Sequence, residues 1–231
     1  MTGKKNTILV LGSFGQLGNE IKNISQEYSY YDFIFKGRRC LDISDYNLLN
    51  DFLSKNPVNT IINCAAYTDV NGAEENYSKA NLINNISVGF ISRCCHEYNI
   101  KLIHISTDFV FNGKSNIPYK ESDFTSPINI YGKTKLLGEN KIKENMSGNA
   151  AIVRTSWLYS KYNSNFVKKI LVKSKSKNEI EVDFQETGSP TWARDLARTL
   201  IEIIEKINFK KVEIYHYSNS GFCSRYKFAN K

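Results

Sequence analysis

The feature that most constrains this chain's fold is a five-residue apolar run, Thr7-Ile-Leu-Val-Leu11, followed at once by Gly12-Ser-Phe-Gly15-Gln-Leu-Gly18. A short, partly β-branched run ending in a glycine-rich stretch predicts strand, tight turn and helix in that order. Gly12 suits the turn, Gly15 lets backbone approach a pyrophosphate, and Gly18 lets the following helix pack close to its strand. The start of that helix then presents free N–H groups suited to phosphate. The same pattern also serves as a plain βα turn, so its position as the first βα turn of the chain is what favours the phosphate-binding reading.

Apolar runs and amphipathic stretches go on alternating. Strands are expected at Asp32 to Lys36, Thr60 to Cys64, Lys101 to Ser106 and Ala151 to Arg154. Helices are expected from about Gly15, from about Asp45, and over Ala73 to Tyr98 without a break. Such βαβα alternation implies an α/β fold, a Rossmann-like doubly wound parallel sheet with helices on both faces. Ligands of such sheets lie beyond the carboxyl ends of the strands. Polar or glycine-rich stretches fall at those ends: Gly12 to Gly18, Lys36 to Arg39, Ala65 to Thr68, Ser106 to Asp108 and Thr155 to Trp157. From Val182 the pattern loosens, with a helix expected from about Trp192 to Lys206 and a strand over Val212 to Tyr217. We therefore divide the chain into 1–157, mainly a cofactor-binding domain, and 158–231, mainly segments of a small substrate lobe interleaved with the sheet edge.

Composition excludes several function classes. At 231 residues and 41% apolar content the chain fits a globular protein rather than a disordered one. No apolar run approaches the roughly 20 residues of a membrane span, and the opening Met1 to Asn6 lacks an apolar stretch after it. A cytoplasmic location is expected, with no membrane partner. The formal charge of +8 is dispersed, without an arginine-rich stripe, which argues against nucleic acid as a partner. Five cysteines, none in Cys-x-x-Cys spacing, and three scattered histidines indicate neither disulfides nor a metal site. Cys94-Cys95-His96 reads as buried structural cysteine beside a histidine.

The chemistry centres on Tyr131 and Lys135, with Ser106-Thr107-Asp108 upstream. In a helix, residues four apart share a face, so phenol and ammonium can point into one cleft. A tyrosine is a poor acid near neutrality, and a nearby cation lowers its pKa, a role Lys135 is placed to fill. The spacing alone is expected by chance in a chain rich in tyrosine and lysine. Its weight comes from the stretches around it.

Those stretches resemble the extended short-chain dehydrogenase/reductases, and within them the dTDP-4-dehydrorhamnose reductase family. The matches are Gly12-x-x-Gly-Gln-Leu-Gly18, Leu41-Asp-Ile-Ser-Asp45, Asn63-Cys-Ala-Ala-Tyr-Thr68, Ser106-Thr-Asp-Phe-Val-Phe-Asn-Gly113, Tyr131-Gly-Lys-Thr-Lys-Leu-Leu-Gly-Glu139, Arg154-Thr-Ser-Trp157, Gly188-Ser-Pro-Thr191 and Tyr215-His-Tyr-Ser-Asn219. They run in order across nearly the whole chain. The resemblance implies reduction of the C4 ketone of a dTDP-4-keto-6-deoxyhexose by a nicotinamide cofactor, in dTDP-rhamnose and polysaccharide biosynthesis. It implies Thr107, Tyr131 and Lys135 as catalytic residues, with Tyr131 the general acid. It places Gly15, Gln16 and Leu17 at the pyrophosphate, Asp42 and Ile43 near the adenine, and Ala65, Ala66 and Tyr67 along the ribose and nicotinamide, with Tyr131 and Lys135 also touching the cofactor. Thr107, Asp108 and Trp157 would meet the nucleotide-sugar substrate, and a homodimer is left open.

Three departures qualify this. Where many relatives carry an acidic residue after the second strand, this chain has Lys36-Gly-Arg38-Arg39; Arg38 suits a 2′-phosphate, so NADPH is expected to be preferred, with NADH the alternative. Asn71-Gly72 replaces a charged pair. Relatives also continue several dozen residues past the position of Lys231, so the substrate lobe is expected to be truncated. Two other functions remain open on the sequence: a non-catalytic NADP-binding regulatory subunit, and another reductase or epimerase of the same superfamily.

Overall fold

The computed structural model describes residues 5–206 and 210–231, and the opening residues Met1 to Lys4 lie outside them. Its centre is a six-stranded parallel sheet. In chain order the first half runs β1 (Asn6–Leu11), α1 (Gln16–Ile24), β2 (Tyr31–Lys36), α2 (Tyr46–Lys55), β3 (Thr60–Asn63), α3 (Val70–Glu75), α4 (Tyr77–Asn81), α5 (Ser87–Glu97) and β4 (Lys101–Thr107). The second half runs α6 (Ile130–Asn145), β5 (Ala150–Thr155), β6 (Leu158–Tyr159), α7 (Phe166–Lys173), β7 (Thr187–Gly188), β8 (Thr191–Trp192), α8 (Ala193–Lys206), β9 (Glu213–Tyr217), β10 (Cys223–Ser224) and α9 (Arg225–Ala229). The sheet order is β2-β1-β3-β4-β5-β9. The chain winds outward from β1 to one edge and then back across to the other, which is the expected doubly wound arrangement.

Side-chain alternation along the strands creates two cores. Leu9, Leu11, Ile61, Leu102, Ala150 and Ile152 face α2, α5 and α6. Ile8, Val10, Ile62, Ile103, Ala151 and Val153 face α1 and α8. The register lines these up in rows, Val10 beside Ile62, Ile62 beside Ile103, and Ile103 beside Ala151. Each such aliphatic side chain, fully buried, contributes about 1.5–3 kcal/mol relative to exposure. Toward the carboxyl ends, the α6-facing rows turn polar, with Asn63, His104, Ser106 and Arg154 all buried.

The unbroken helix expected over Ala73 to Tyr98 is not what forms. Asn76 ends α3 and caps α4, its side chain accepting from Lys79 N. The chain then takes one wide π turn over Leu82–Ile86 before α5. That turn aims the buried Asn84 inward, a cost in regular helix bonding that is met by three hydrogen bonds described below. Cys94 and Cys95 are fully buried in α5, where burial pushes both thiols up, as expected of structural cysteines.

Beyond β5 the chain divides its duties. β9 extends the main sheet beside β5, and α8 packs on α1. The remaining pieces form two small sheets, β6 with β8 and β7 with β10. No helix among the described residues is long and apolar enough to cross a membrane.

Candidate active site

The phosphate loop has the geometry its glycines predict. Gly12 sits at φ +72°, and a Cβ there would lie 2.6 Å from Ala65 N, so the turn needs glycine on both counts. Gly15 precedes α1 with no side-chain cap and no acidic residue in the first turn, which leaves the helix N-terminal N–H groups open to an anion. The loop also holds the Ser13 hydroxyl, buried without a protein partner. This donor set fits a diphosphate. Leu17 turns its side chain into the α1/α8 core, so only its backbone is available to a ligand. The Gln16 side chain is engaged from across the cleft, accepting from Asn165 Nδ2 at 2.9 Å, while Asn163 donates to Phe14 O at 2.6 Å.

On the far flank, Arg38 is exposed and its Nε donates to Asp42 Oδ2 at 3.3 Å. Asp42 also accepts from the backbone and hydroxyl of Ser44 at 3.0 and 2.7 Å. Burial pushes its carboxyl up, but the Ser44 and Arg38 bonds outweigh this and hold it below the usual range. Asp42 is therefore not the cap of α2; Asp45 is, accepting from Leu48 N. Ile43 is 6% exposed and packed into the α2/α5 core, which leaves little of its side chain for an adenine.

The loop after β3 is fixed from behind. Ala65 N donates to Asn63 Oδ1 at 3.1 Å. Asn84 accepts from Tyr67 N at 2.8 Å, donates to Tyr67 O at 3.0 Å, and donates to Thr134 Oγ1 at 3.1 Å. Asn84 thus pins the Ala65-Ala66-Tyr67 segment to α6. Sequence reasoning missed it because an asparagine inside a helical pattern carries no such signal.

The groups expected to react gather where β4 ends. Thr107 Oγ1 donates to Asp108 Oδ1 at 3.1 Å and accepts from Phe109 N at 3.3 Å. Asn129 caps α6 through Gly132 N at 2.7 Å, starting the helix one residue before Tyr131. A Cβ on Gly132 would lie 2.1 Å from Phe109 O, so glycine is what lets α6 press Tyr131 against the β4 end. The Tyr131 ring meets Phe109 edge-on at 5.7 Å. Burial pushes the Tyr131 phenol up to about 12, against a lowering hydrogen bond with Thr107 and with a further rise from Asp108. Burial likewise raises Asp108 to about 6.

Lys135 departs from expectation. It is 1% exposed, and its Nζ donates to Ile105 O at 2.6 Å and meets His104 Nε2 at 3.2 Å. Tyr131 is not lowered, and Lys135 is not among the groups acting on it. The long side chain reaches the strand backbone beneath the cleft, where the Ile105 carbonyl accepts from the buried Nζ. Burial lowers Lys135 to about 8, opposed by Glu139 and Cys64.

Trp157 stands across the cleft at φ +43°. Arg225 of α9 stacks 3.6 Å from its ring centre and pairs with Glu186 through Nε and Nη2 at 3.2 and 3.1 Å. The structure thus brings Thr107, Asp108, Tyr131 and the Ala65 loop to one strand edge, with Lys135 beneath them. Arg38 and Asp42 lie apart, beside the phosphate loop.

Set beside known proteins, residues 6–231 match the family model described as RmlD substrate binding domain. The chain belongs to the dTDP-4-dehydrorhamnose reductase family. The dTDP-4-dehydrorhamnose reductase of Aggregatibacter actinomycetemcomitans is 34% identical over 225 residues, 96% of this chain and 76% of that protein. The spore coat polysaccharide biosynthesis protein SpsK of Bacillus subtilis is 37% identical over 223 residues, again 96% of this chain and 76% of its own length. The crystal structure of the family member from Bacillus anthracis, in complex with NADP, superposes with a TM-score of 0.92 at 36% identity, covering 99% of this chain and 80% of that one. The Rossmann-like sheet of this reductase family is accordingly the fold of this chain.

Proposed function

We propose that this chain reduces the C4 ketone of dTDP-4-dehydro-L-rhamnose to dTDP-L-rhamnose with NADPH. The observation that carries the reading is the meeting of Thr107, Asp108 and Tyr131 at the end of β4, on the same edge as an open, glycine-built phosphate loop. NADPH, when bound, supplies the hydride. Negative charge then grows on the ketone oxygen, and Tyr131 is the proton donor: raised to about 12, it remains a neutral phenol throughout the physiological range. Thr107, buried and fixed by Asp108 and Phe109 N, orients the same oxygen. Lys135, held at Ile105 O and His104 rather than at the phenol, would hold the nicotinamide ribose. Gly12, Gly15, Gln16 and Leu17 would hold the diphosphate, and Arg38, now on Asp42, would meet the 2′-phosphate.

For the nucleotide sugar, Trp157 offers a ring face and Asp108 a polar edge. We assign the substrate lobe to β6, α7, β7, β8, β10 and α9, and group α8 and β9 with the cofactor domain because they pack on α1 and β5. The deciding experiment follows NADPH absorbance in the presence of dTDP-4-dehydro-L-rhamnose, beside Tyr131→Phe. Oxidation well above that control is expected; none would favour a non-catalytic NADP-binding role.

A further inference from the structure

Beneath the proton donor, Lys135 continues into a buried polar chain through His104 and Asn63, two residues that the reaction itself does not use. Asn63 and His104 are side by side in the register of β3 and β4, on the face covered by α6. Asn63 Nδ2 is 3.0 Å from His104 Nδ1, and His104 Nε2 is 3.2 Å from Lys135 Nζ. All three residues are at most 1% exposed. At the outer end, Asn63 Oδ1 accepts the Ala65 N–H. Burial, with Lys135 adding to it, holds His104 well below its usual pKa, so the ring is neutral.

A neutral imidazole has one N–H and one acceptor nitrogen, so its two contacts must be of opposite kinds. If Lys135 is an ammonium it can only donate. Nε2 must then accept, the ring proton sits on Nδ1, and Asn63 must turn its oxygen toward the ring, releasing Ala65 N–H. If Lys135 is a neutral amine, Nε2–H donates to it and Nδ1 accepts from Asn63 Nδ2. Asn63 Oδ1 then keeps Ala65 N–H, which is the arrangement of side chains seen here.

We propose that His104 is a positioning residue whose tautomer links the charge of Lys135 to the availability of the Ala65 backbone N–H at the cofactor loop. An acceptor oxygen placed on Ala65 N–H therefore favours the ammonium form of Lys135. The groups facing Lys135 are Glu139 one turn along α6, Cys64 just past β3, and His104 and the Ile105 carbonyl of β4. Glu139 is itself held by Arg154 of β5 and Ser106 of β4. The catalytic consequence rests on the reductase reading, whereas the linkage itself does not.

The test is a nitrogen NMR titration of the full chain labelled in its histidines, with His104 assigned by its loss in His104→Gln, between about pH 5.5 and about pH 9.5, spanning the usual imidazole range and beyond. A ring that is neutral throughout is expected, its proton on Nδ1 at the acid end and on Nε2 at the alkaline end, with a midpoint near the Lys135 value of about 8. In Lys135→Met the proton should stay on Nε2 at every pH. Saturating NADPH should move the wild-type midpoint upward. In kinetics, His104→Gln, whose amide oxygen accepts from an ammonium without any tautomer change, should move the alkaline limb of kcat/KM upward rather than only lower kcat. A tautomer indifferent to pH, a switch that survives Lys135→Met, or an unmoved alkaline limb would each overturn the proposal. Absent reductase activity with an intact tautomer switch would instead sink the functional reading alone.

Discussion

Tyr131 and Lys135 share a helix face, yet one ends in the cleft and the other in the core. Removing the phenol oxygen should therefore remove proton donation and little else. Tyr131→Phe is expected to lower kcat about 10²–10⁴-fold, the usual worth of a positioned general acid, with NADPH affinity by fluorescence titration changed far less than kcat. Lys135 makes a prediction of opposite character. Its value of about 8 lies below the 10.5 of an ordinary lysine, so between these two the unfolded chain binds more protons than the folded one. Stability from this group therefore rises with pH over that window, and below about 8 the folded state carries the cost of a buried ammonium. Denaturant unfolding of the cofactor-free protein should show the wild type gaining on Lys135→Met from about pH 8 to 10.5. Arg38 supplies a third case: a charge-assisted hydrogen bond is worth about 1.5–3 kcal/mol, so Arg38→Ala should weaken NADPH about 10- to 100-fold while leaving NADH nearly unaffected.

The elements decide how closely these residues meet. α6 can lie against the β4 end because Gly132 has no side chain, and its polar face covers the polar ends of the strand rows. Gly132→Ala would bring a methyl within 2.1 Å of Phe109 O, backbone that cannot swing aside. A stability loss of about 1–3 kcal/mol is expected from overpacking of this kind. Because the displaced element carries Tyr131, kcat should fall by more than the unfolding midpoint suggests, and measuring both on one preparation tests that. The π turn at Leu82–Ile86 works similarly, spending regular helix bonds to seat Asn84 under the Tyr67 loop. The six strands of the main sheet and the starts of α1, α2 and α8 were legible in the sequence, since apolar period is a local property. The break in the helix expected over Ala73 to Tyr98 was not, because it answers to the loop at Tyr67 and to Thr134, far away in the chain.

Across the whole molecule, one buried ion pair ties the site to the outer strands. Arg154 of β5 donates to Glu139 of α6 at 2.9 and 2.7 Å, Ser106 of β4 donates to the same carboxylate at 2.6 Å, and Arg154 stacks 5.2 Å from the Phe111 ring. With side chains 3% and 0% exposed, neither charge has water to fall back on. Glu139→Gln or Arg154→Met alone should cost about 3–5 kcal/mol in chemical denaturation, and the double variant Glu139→Leu/Arg154→Met should recover much of that. Recovery in the double variant is what separates an uncompensated charge from a packing defect.

What the sequence determined by itself was the fold and the tight glycine turn after β1, because these follow from apolar period and glycine spacing along short stretches, whereas the reacting residues were expected only from the family resemblance. What only the tertiary structure decided was partnership: that Lys135 turns to Ile105 and His104 rather than to Tyr131, that Arg38 shares Asp42, and that Arg225 and Glu186 flank Trp157. Partners are chosen by burial and by the nearest group able to satisfy a charge, and both depend on which segments the folded chain brings side by side.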